Sequence, residues 1–341
     1  LHQEARRQRQ MCIRDREIEA HSRSRMGVTQ ERPKDRQLLF ALTGSSARKL
    51  KRGQANLLAG RAFLNYLYPF ISVELPGNFD WKKVLSWGAL PAVITADTDL
   101  LRKELLEAYT HVYLREEILE EQIAREARSF RSFLEVAAQS NGQIVNYSAI
   151  ARDVNLSPNT VQTYFQVLED TLVTYQVPAY HRSIRKRQKQ GPKYYFFDIG
   201  VQRALLGTLG QDTSPASYGY GKIFEHFVFL ELYRRNAYLR NKYEFSYLMT
   251  RDDVEIDLII ERPGMPIALV EIKSSENIRD EHIKSLETLG REIPNSERFC
   301  LSRDPVNRIK NGIHVLNWEH GIEELGLGMA LTTTAGCERN D

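Results

Sequence analysis

The chain has 341 residues, 42% hydrophobic and 27% charged, with a formal net charge of +3, a composition suited to a globular protein with two or three cores. No apolar run approaches the roughly 18 to 20 residues that cross a bilayer, and no secretory signal opens the sequence; a cytoplasmic location without a membrane partner is expected. Cys12, Cys300 and Cys337 are far apart, with no C-x-x-C pair and no histidine cluster at ligand spacing, which argues against a disulfide framework and a structural zinc site.

The positive charge is concentrated at one end. Residues 1–37 hold ten Lys/Arg and six Asp/Glu, leaving 37 basic against 38 acidic residues in the rest. Residues 1–36 have no aromatic side chain and no sustained period, and read as a disordered, non-native leader. Met11-Cys-Ile-Arg-Asp-Arg16 looks like translated adapter sequence. The alternative is a basic arm that holds nucleic acid.

Gln37 to Thr43 reads as a short strand that ends in Gly44-Ser-Ser46 and leads into a helix over 47–58. Small polar residues between a strand end and a helix suit either a phosphate-facing site or an ordinary serine cap. Leu100 to Glu121 carries apolar residues at three-and-four spacing, an amphipathic helix. Helices are then expected over 129–140, over 147–154, and from Ser157-Pro-Asn-Thr160 to about Asp170, where Ser at the cap and Pro at the first turn form a start signal. The last two have helix-turn-helix proportions and would expose Asn159, Gln162, Thr163 and Gln166. Strands over 172–177 and 193–197 flank the basic segment His181 to Lys189. Helices followed by a hairpin with a basic tip describe a winged helix, and Thr160 joins the candidate nucleic-acid contacts together with Arg182, Arg185, Lys186, Arg187 and Lys189. Such a tip would neutralise phosphates without reading sequence; a solvated loop is the plain alternative.

Beyond a short helix over 198–210 comes a helix from Gly221 to Asn236, with Glu225 in its first turns. Strands follow over 243–249, 254–261 and 267–273, then a helix over 279–289 and a strand over 298–301. This order predicts an α/β/α core with a mixed sheet covered on both faces. The run Arg262-Pro-Gly-Met265 reads as a hairpin turn. A turn centred on Gly264 sets Asp257 opposite Glu271, and alternation places Glu271 and Lys273 on one face with Ile272 on the other. Magnesium prefers a few oxygen ligands and keeps several waters. Asp257, Glu271 and the Ile272 carbonyl suit it as ligands, Glu225 could take a further position, and Lys273 could orient a water. A surface salt bridge on an exposed strand fits the same spacing.

Asp257 followed by Glu271-Ile-Lys273, with an upstream helical Glu225, resembles the PD-(D/E)XK nuclease-like motif. More widely, residues 37–325 resemble a prokaryotic family of AAA-type ATP-binding proteins with a C-terminal domain of unknown function. The matching stretches are Leu42-Thr-Gly-Ser-Ser46, Leu58-Ala-Gly-Arg61, Tyr68-Pro-Phe70, Gly88-Ala-Leu-Pro91, Tyr113-Leu-Arg-Glu116, Ser157-Pro-Asn-Thr-Val161, Pro192-Lys-Tyr-Tyr-Phe-Phe-Asp198 and Gly221-Lys-Ile-Phe-Glu225.

The resemblance implies an α/β multidomain chain. Residues 37–125 would be the remnant of an AAA-type ATPase module with its helical lid, 126–198 a winged helix, 199–325 a PD-(D/E)XK nuclease-like domain and 326–341 a disordered tail. It places Ser45, Ser46 and Arg61 near nucleotide, implies DNA as partner and magnesium as cofactor, and allows association between subunits. The sequence contains no P-loop, G-x-x-x-x-G-K-[ST], so the chain reads as N-terminally truncated, with ATP expected only in a longer protein. The implied activity is phosphodiester hydrolysis. The alternative is an ATP-switched DNA-binding or regulatory protein whose nuclease-like domain does not cut.

Overall fold

The computed structural model describes residues 65–75, 80–113, 127–181, 190–215, 217, 219–250 and 254–329. Ser45, Ser46 and Arg61, and Arg182, Arg185, Lys186, Arg187 and Lys189 of the basic segment, lie outside them. The architecture is α/β: a two-stranded antiparallel sheet stands beside a six-stranded mixed sheet, with helices around both.

Short helices α1 (Lys82–Trp87), α2 (Pro91–Ile94) and α3 (Asp99–Ala108) come first. The long helix expected to Glu121 leaves the α conformation at Tyr109, where one π-type turn, Tyr109–Tyr113, begins; residues 114–126 lie outside the described part.

Then come α4 (Ala127–Gln139), α5 (Tyr147–Asp153) and α6 (Pro158–Asp170). Asn146 caps α5 by accepting from the Ser148 and Ala149 amides, and Ser157 caps α6 by accepting from the Thr160 amide. These bonds satisfy amides that the helix itself leaves unpaired. Val161, Tyr164, Phe165, Val167 and Leu168 bury one side of α6, while Asn159, Gln162, Thr163 and Gln166 line the exposed side. Strands β1 (Thr174–Val177) and β2 (Lys193–Phe196) pair antiparallel, with Thr174 opposite Phe196 and Val177 opposite Lys193.

After α7 (Ile199–Leu205) and α8 (Tyr220–Tyr238), the large sheet comprises β3 (Glu244–Met249), β4 (Glu255–Glu261), β5 (Ile267–Lys273), β6 (Ser296–Ser302), β7 (Arg308–Lys310) and β8 (Ile313–Asn317). Its order is β3-β4-β5-β6-β8-β7. The β5–β6–β8 pairs are parallel and the rest antiparallel. Helix α9 (Asp280–Leu289) makes the crossover between β5 and β6, and α10 (Trp318–Ile322) follows β8. Two strands more than expected are present. Strand β7 is a three-residue edge strand of sequence Arg-Ile-Lys with no readable period, and β8 is short and interior.

Alternation sorts the two faces. Ala268, Val270 and Ile272 pack in the cluster that contains Phe224, Phe227 and Val228 of α8, whereas Leu269 joins Ile283, Leu286 and Leu289 of α9. The sheet is therefore covered on both sides, in agreement with the expected layering.

Packing is continuous between the small sheet and the large one. Tyr180 donates its amide to the Tyr247 carbonyl at 2.6 Å, the Tyr247 amide donates to Pro178 at 3.0 Å, and the Tyr247 hydroxyl donates to the Gly191 carbonyl at 2.5 Å. Both roots of the hairpin are thereby tied to β3. The early helices dock through Asp198, which accepts from the Ala89 amide at 2.7 Å and caps α7. Gly200 permits this approach, because a Cβ there would stand 2.1 Å from the Trp87 carbonyl oxygen. Among the described residues no helix is long and apolar enough to cross a membrane.

Candidate functional site: a buried carboxylate cluster on β4 and β5

The turn at Gly264, with φ of 78°, gives the register expected of it. Leu258, Ile259 and Ile260 face Val270, Leu269 and Ala268, and one further step sets Asp257 opposite Glu271. On its other side β4 bulges. Ser246 pairs with Ile259 but Leu248 pairs with Ile256, so Asp257 and Leu258 together oppose Tyr247. The extra residue explains why Ile256 and Ile259, three positions apart, share the α9 cluster. Bulges of this kind re-aim a side chain and are frequent beside active sites.

Asp257 is fixed by the partner strand, its Oδ2 accepting from the Ile272 amide at 2.7 Å. Lys273 Nζ lies 2.5 Å from Glu271 Oε1 and 4.0 Å from Asp257 Oδ2. The surface salt bridge is not what forms, because Asp257 and Glu271 are only 8% and 4% exposed. Glu271 Oε2 is buried with no hydrogen-bond partner. Burial, with the Asp257 charge added, pushes Glu271 up to about 8 despite the opposing Lys273. Burial acts to lower Lys273, but Asp257 and Glu271 outweigh it and hold the ammonium well above its usual range.

Glu225, on α8, approaches Asp257 from the face of the sheet that carries Ile272. Burial and then the charge on Asp257 raise it to about 7, with Lys193 and a hydrogen bond from Tyr195 acting the other way. The structure brings Asp257, Glu271 and Lys273 together; the Asp257 charge also acts on Glu225, which is not among the groups acting on Glu271 or Lys273.

Three members of the cluster were not anticipated: Lys193, Tyr195 and Glu255. Lys193 pairs with Glu255 and lies over the Tyr247 ring at 5.3 Å. The Tyr195 hydroxyl donates to Glu225 Oε1 at 2.6 Å while its ring stacks on Phe229. Period two in Lys193-Tyr-Tyr195 puts both polar ends on one face of an otherwise aromatic strand, which is the available sequence signal.

Among the described residues, no group of three or more His, Cys, Asp or Glu stands ready to hold a metal ion. The donor set is instead two facing carboxylates with one orphaned buried oxygen. That fits a hard cation such as magnesium, which needs one or two carboxylates and keeps its waters, and does not fit a metal that requires a closed cage of nitrogen or sulfur ligands.

Of the predicted nucleic-acid contacts, Asn159, Gln162 and Thr163 are exposed on α6. Thr160 is partly covered and its hydroxyl shares a 2.8 Å hydrogen bond with Ser157. Arg182, Arg185, Lys186, Arg187 and Lys189, like Ser45, Ser46 and Arg61, fall outside the described residues.

Comparison with known proteins gives matches without assigned activity. Residues 78–212 match a family described as a domain of unknown function (DUF8612), and residues 220–320 match another described the same way (DUF4143). The centre straddles them: Lys193 and Tyr195 fall in the first, and Glu225, Glu255, Asp257, Glu271 and Lys273 in the second. The chain is similar to an uncharacterized protein of Mycobacterium tuberculosis, 27% identical over 270 residues, covering 77% of this chain and 60% of that protein. An uncharacterized protein of Haemophilus influenzae is 27% identical over 212 residues, covering 58% of this chain and 51% of the relative. One from Methanocaldococcus jannaschii is 21% identical over 269 residues, covering 72% and 58%. The chain therefore spans between half and 60% of the length of these relatives. No solved structure matches it significantly.

Proposed function

We propose that the chain is the DNA-acting part of a magnesium-dependent phosphodiesterase, with a PD-(D/E)XK-type centre at Glu225, Asp257, Glu271 and Lys273. The observation that carries this is Glu271: a buried carboxylate beside Asp257, with one oxygen unsatisfied and its acid form favoured up to about pH 8. Burying charge without full compensation costs stability, and such groups concentrate at functional sites.

Asp257, Glu271 and the Ile272 carbonyl would hold magnesium, and Glu225 would take a further position or hold a water. A cation so bound supplies charge neutralisation for a pentavalent phosphate and a lower pKa for water. Asp257 is held in place by the Ile272 amide, independently of Lys273. Lys273 orients the attacking water and offsets phosphate charge. The covered strand face limits bulk water and strengthens these interactions.

The three helices α4 to α6 followed by the β1–β2 pair have the order of a winged helix-turn-helix. In this reading the exposed side of α6 and the basic segment 181–189 meet DNA. Without an arginine on that side of α6, contacts to phosphate dominate over base readout. Nucleotide control through Ser45, Ser46 and Arg61 rests on the family resemblance alone.

A second reading, an ATP-switched DNA-binding or regulatory protein that does not cut, is favoured by the direct Lys273–Glu271 pair, which partly neutralises the site from within. Plasmid nicking separates the two. The wild type nicks DNA when magnesium is added, and Asp257→Ala and Lys273→Ala each lose this by at least about 100-fold while retaining DNA binding. Absent or unchanged nicking contradicts the nuclease reading. For DNA contact, replacing Arg185, Lys186 and Arg187 together by Ala should weaken binding and reduce the salt slope by up to about 3; an unchanged slope rules the hairpin out.

A further inference from the structure

The centre contains four carboxylates, Glu225, Glu255, Asp257 and Glu271, against two ammonium groups, Lys193 and Lys273. The two lysines divide the work. Lys273 serves Glu271 and Asp257, whereas Lys193 serves Glu255 and Glu225, with Asp257 in the field of both.

Lys193 is firmly held. It is 2% exposed, paired with Glu255, and placed over the ring of Tyr247, whose hydroxyl is anchored on Gly191. Two residues on, Tyr195 fixes Glu225. A lysine on a flexible surface stem could swing aside for an incoming ion; this one has already lost its rotamer freedom to packing. Metal pairs that act together on phosphodiesters stand about 3.5 to 4 Å apart, and a second ion beside Asp257 would have to share its ground with this ammonium.

We propose that Lys193 is a resident counter-cation on the Glu225–Glu255 side of Asp257, so that the centre takes one divalent cation, held between Asp257 and Glu271, and excludes a second. The proposal rests on the nuclease-site reading above. It makes β2, a strand of the hairpin, an integral part of the centre and not only a means of reaching DNA.

The test counts manganese ions bound to the full chain, since manganese takes the same oxygen ligands as magnesium. The wild type and Lys193→Arg bind one ion per chain. Lys193→Met and Lys193→Gln bind two, and the second produces the exchange-coupled electron paramagnetic signal of an adjacent pair. Two ions in the wild type overturn the proposal even if the neutral variants fail to fold. A single ion in the folded neutral variants also overturns it while leaving the site itself intact. No ion in the wild type, or an unaltered affinity in Asp257→Ala, overturns the nuclease-site reading and the proposal with it.

Discussion

Helix α8 carries two acidic residues less than two turns apart, Glu225 and Glu231, and the protein treats them differently. Glu231 accepts from the Ser72 amide at 2.8 Å, the Ser72 hydroxyl at 2.9 Å and Arg235 Nε at 3.1 Å. Arg235 continues to Ser72 Oγ, and Arg234 bonds the carbonyls of Phe70 and Phe197. That end of the helix pairs both Glu231 oxygens and fastens residues 68–72 to the core, with Arg234 Nε a buried atom of the network without a partner. Glu225 has one hydrogen bond, from Tyr195, and faces Asp257, beyond which Glu271 keeps an unpartnered oxygen. Both regions bury charge; only in the first does the carboxylate have both oxygens paired. The contrast separates a carboxylate whose oxygens are all paired within the fold from one whose oxygens are not, and on the proposed reading the second is the one that meets a ligand.

Cutting the Glu231 network should have the larger effect on stability. Arg235→Met leaves Glu231 buried without its counter-charge and should cost about 3 to 5 kcal/mol in urea unfolding. A loss below about 1 kcal/mol would mean that the network is not fastening the segment.

The open cluster should behave in the opposite way. The folded protein holds Glu271 up at about 8 against an ordinary 4.5, so it binds that proton more tightly than the unfolded chain. The associated stability is full below about pH 4.5 and is lost as pH rises through about 8. Glu225, raised to about 7, acts with the same sign over a narrower window. Glu271→Gln should therefore flatten the cation-free stability curve and, above about pH 8, exceed the wild type by up to a few kcal/mol. Equal pH slopes in the two proteins would show that Glu271 is not crowded.

Much of the geometry was legible because it is local. The turn at Gly264 sets the β4–β5 register, and period-two alternation puts Glu271 and Lys273 on one face. Ser157-Pro158 marks the start of α6 for a similarly local reason. What was not legible depends on partners distant in sequence. The bulge at Asp257 exists only relative to Tyr247 on β3, and Lys193 and Tyr195 join the centre only because the hairpin root is bonded to that same residue. The burial that sets this cluster apart from an exposed ion pair likewise comes from α8 and α9 closing over the two sides of the sheet.

The central claim is that Asp257 and Glu271 form a cation site and not a self-contained ion pair with Lys273. Calorimetric titration of magnesium into the wild type and Glu271→Ala tests it without requiring turnover. The account predicts saturable binding by the wild type and its loss in the variant; equal binding by both, or none by the wild type, would contradict it.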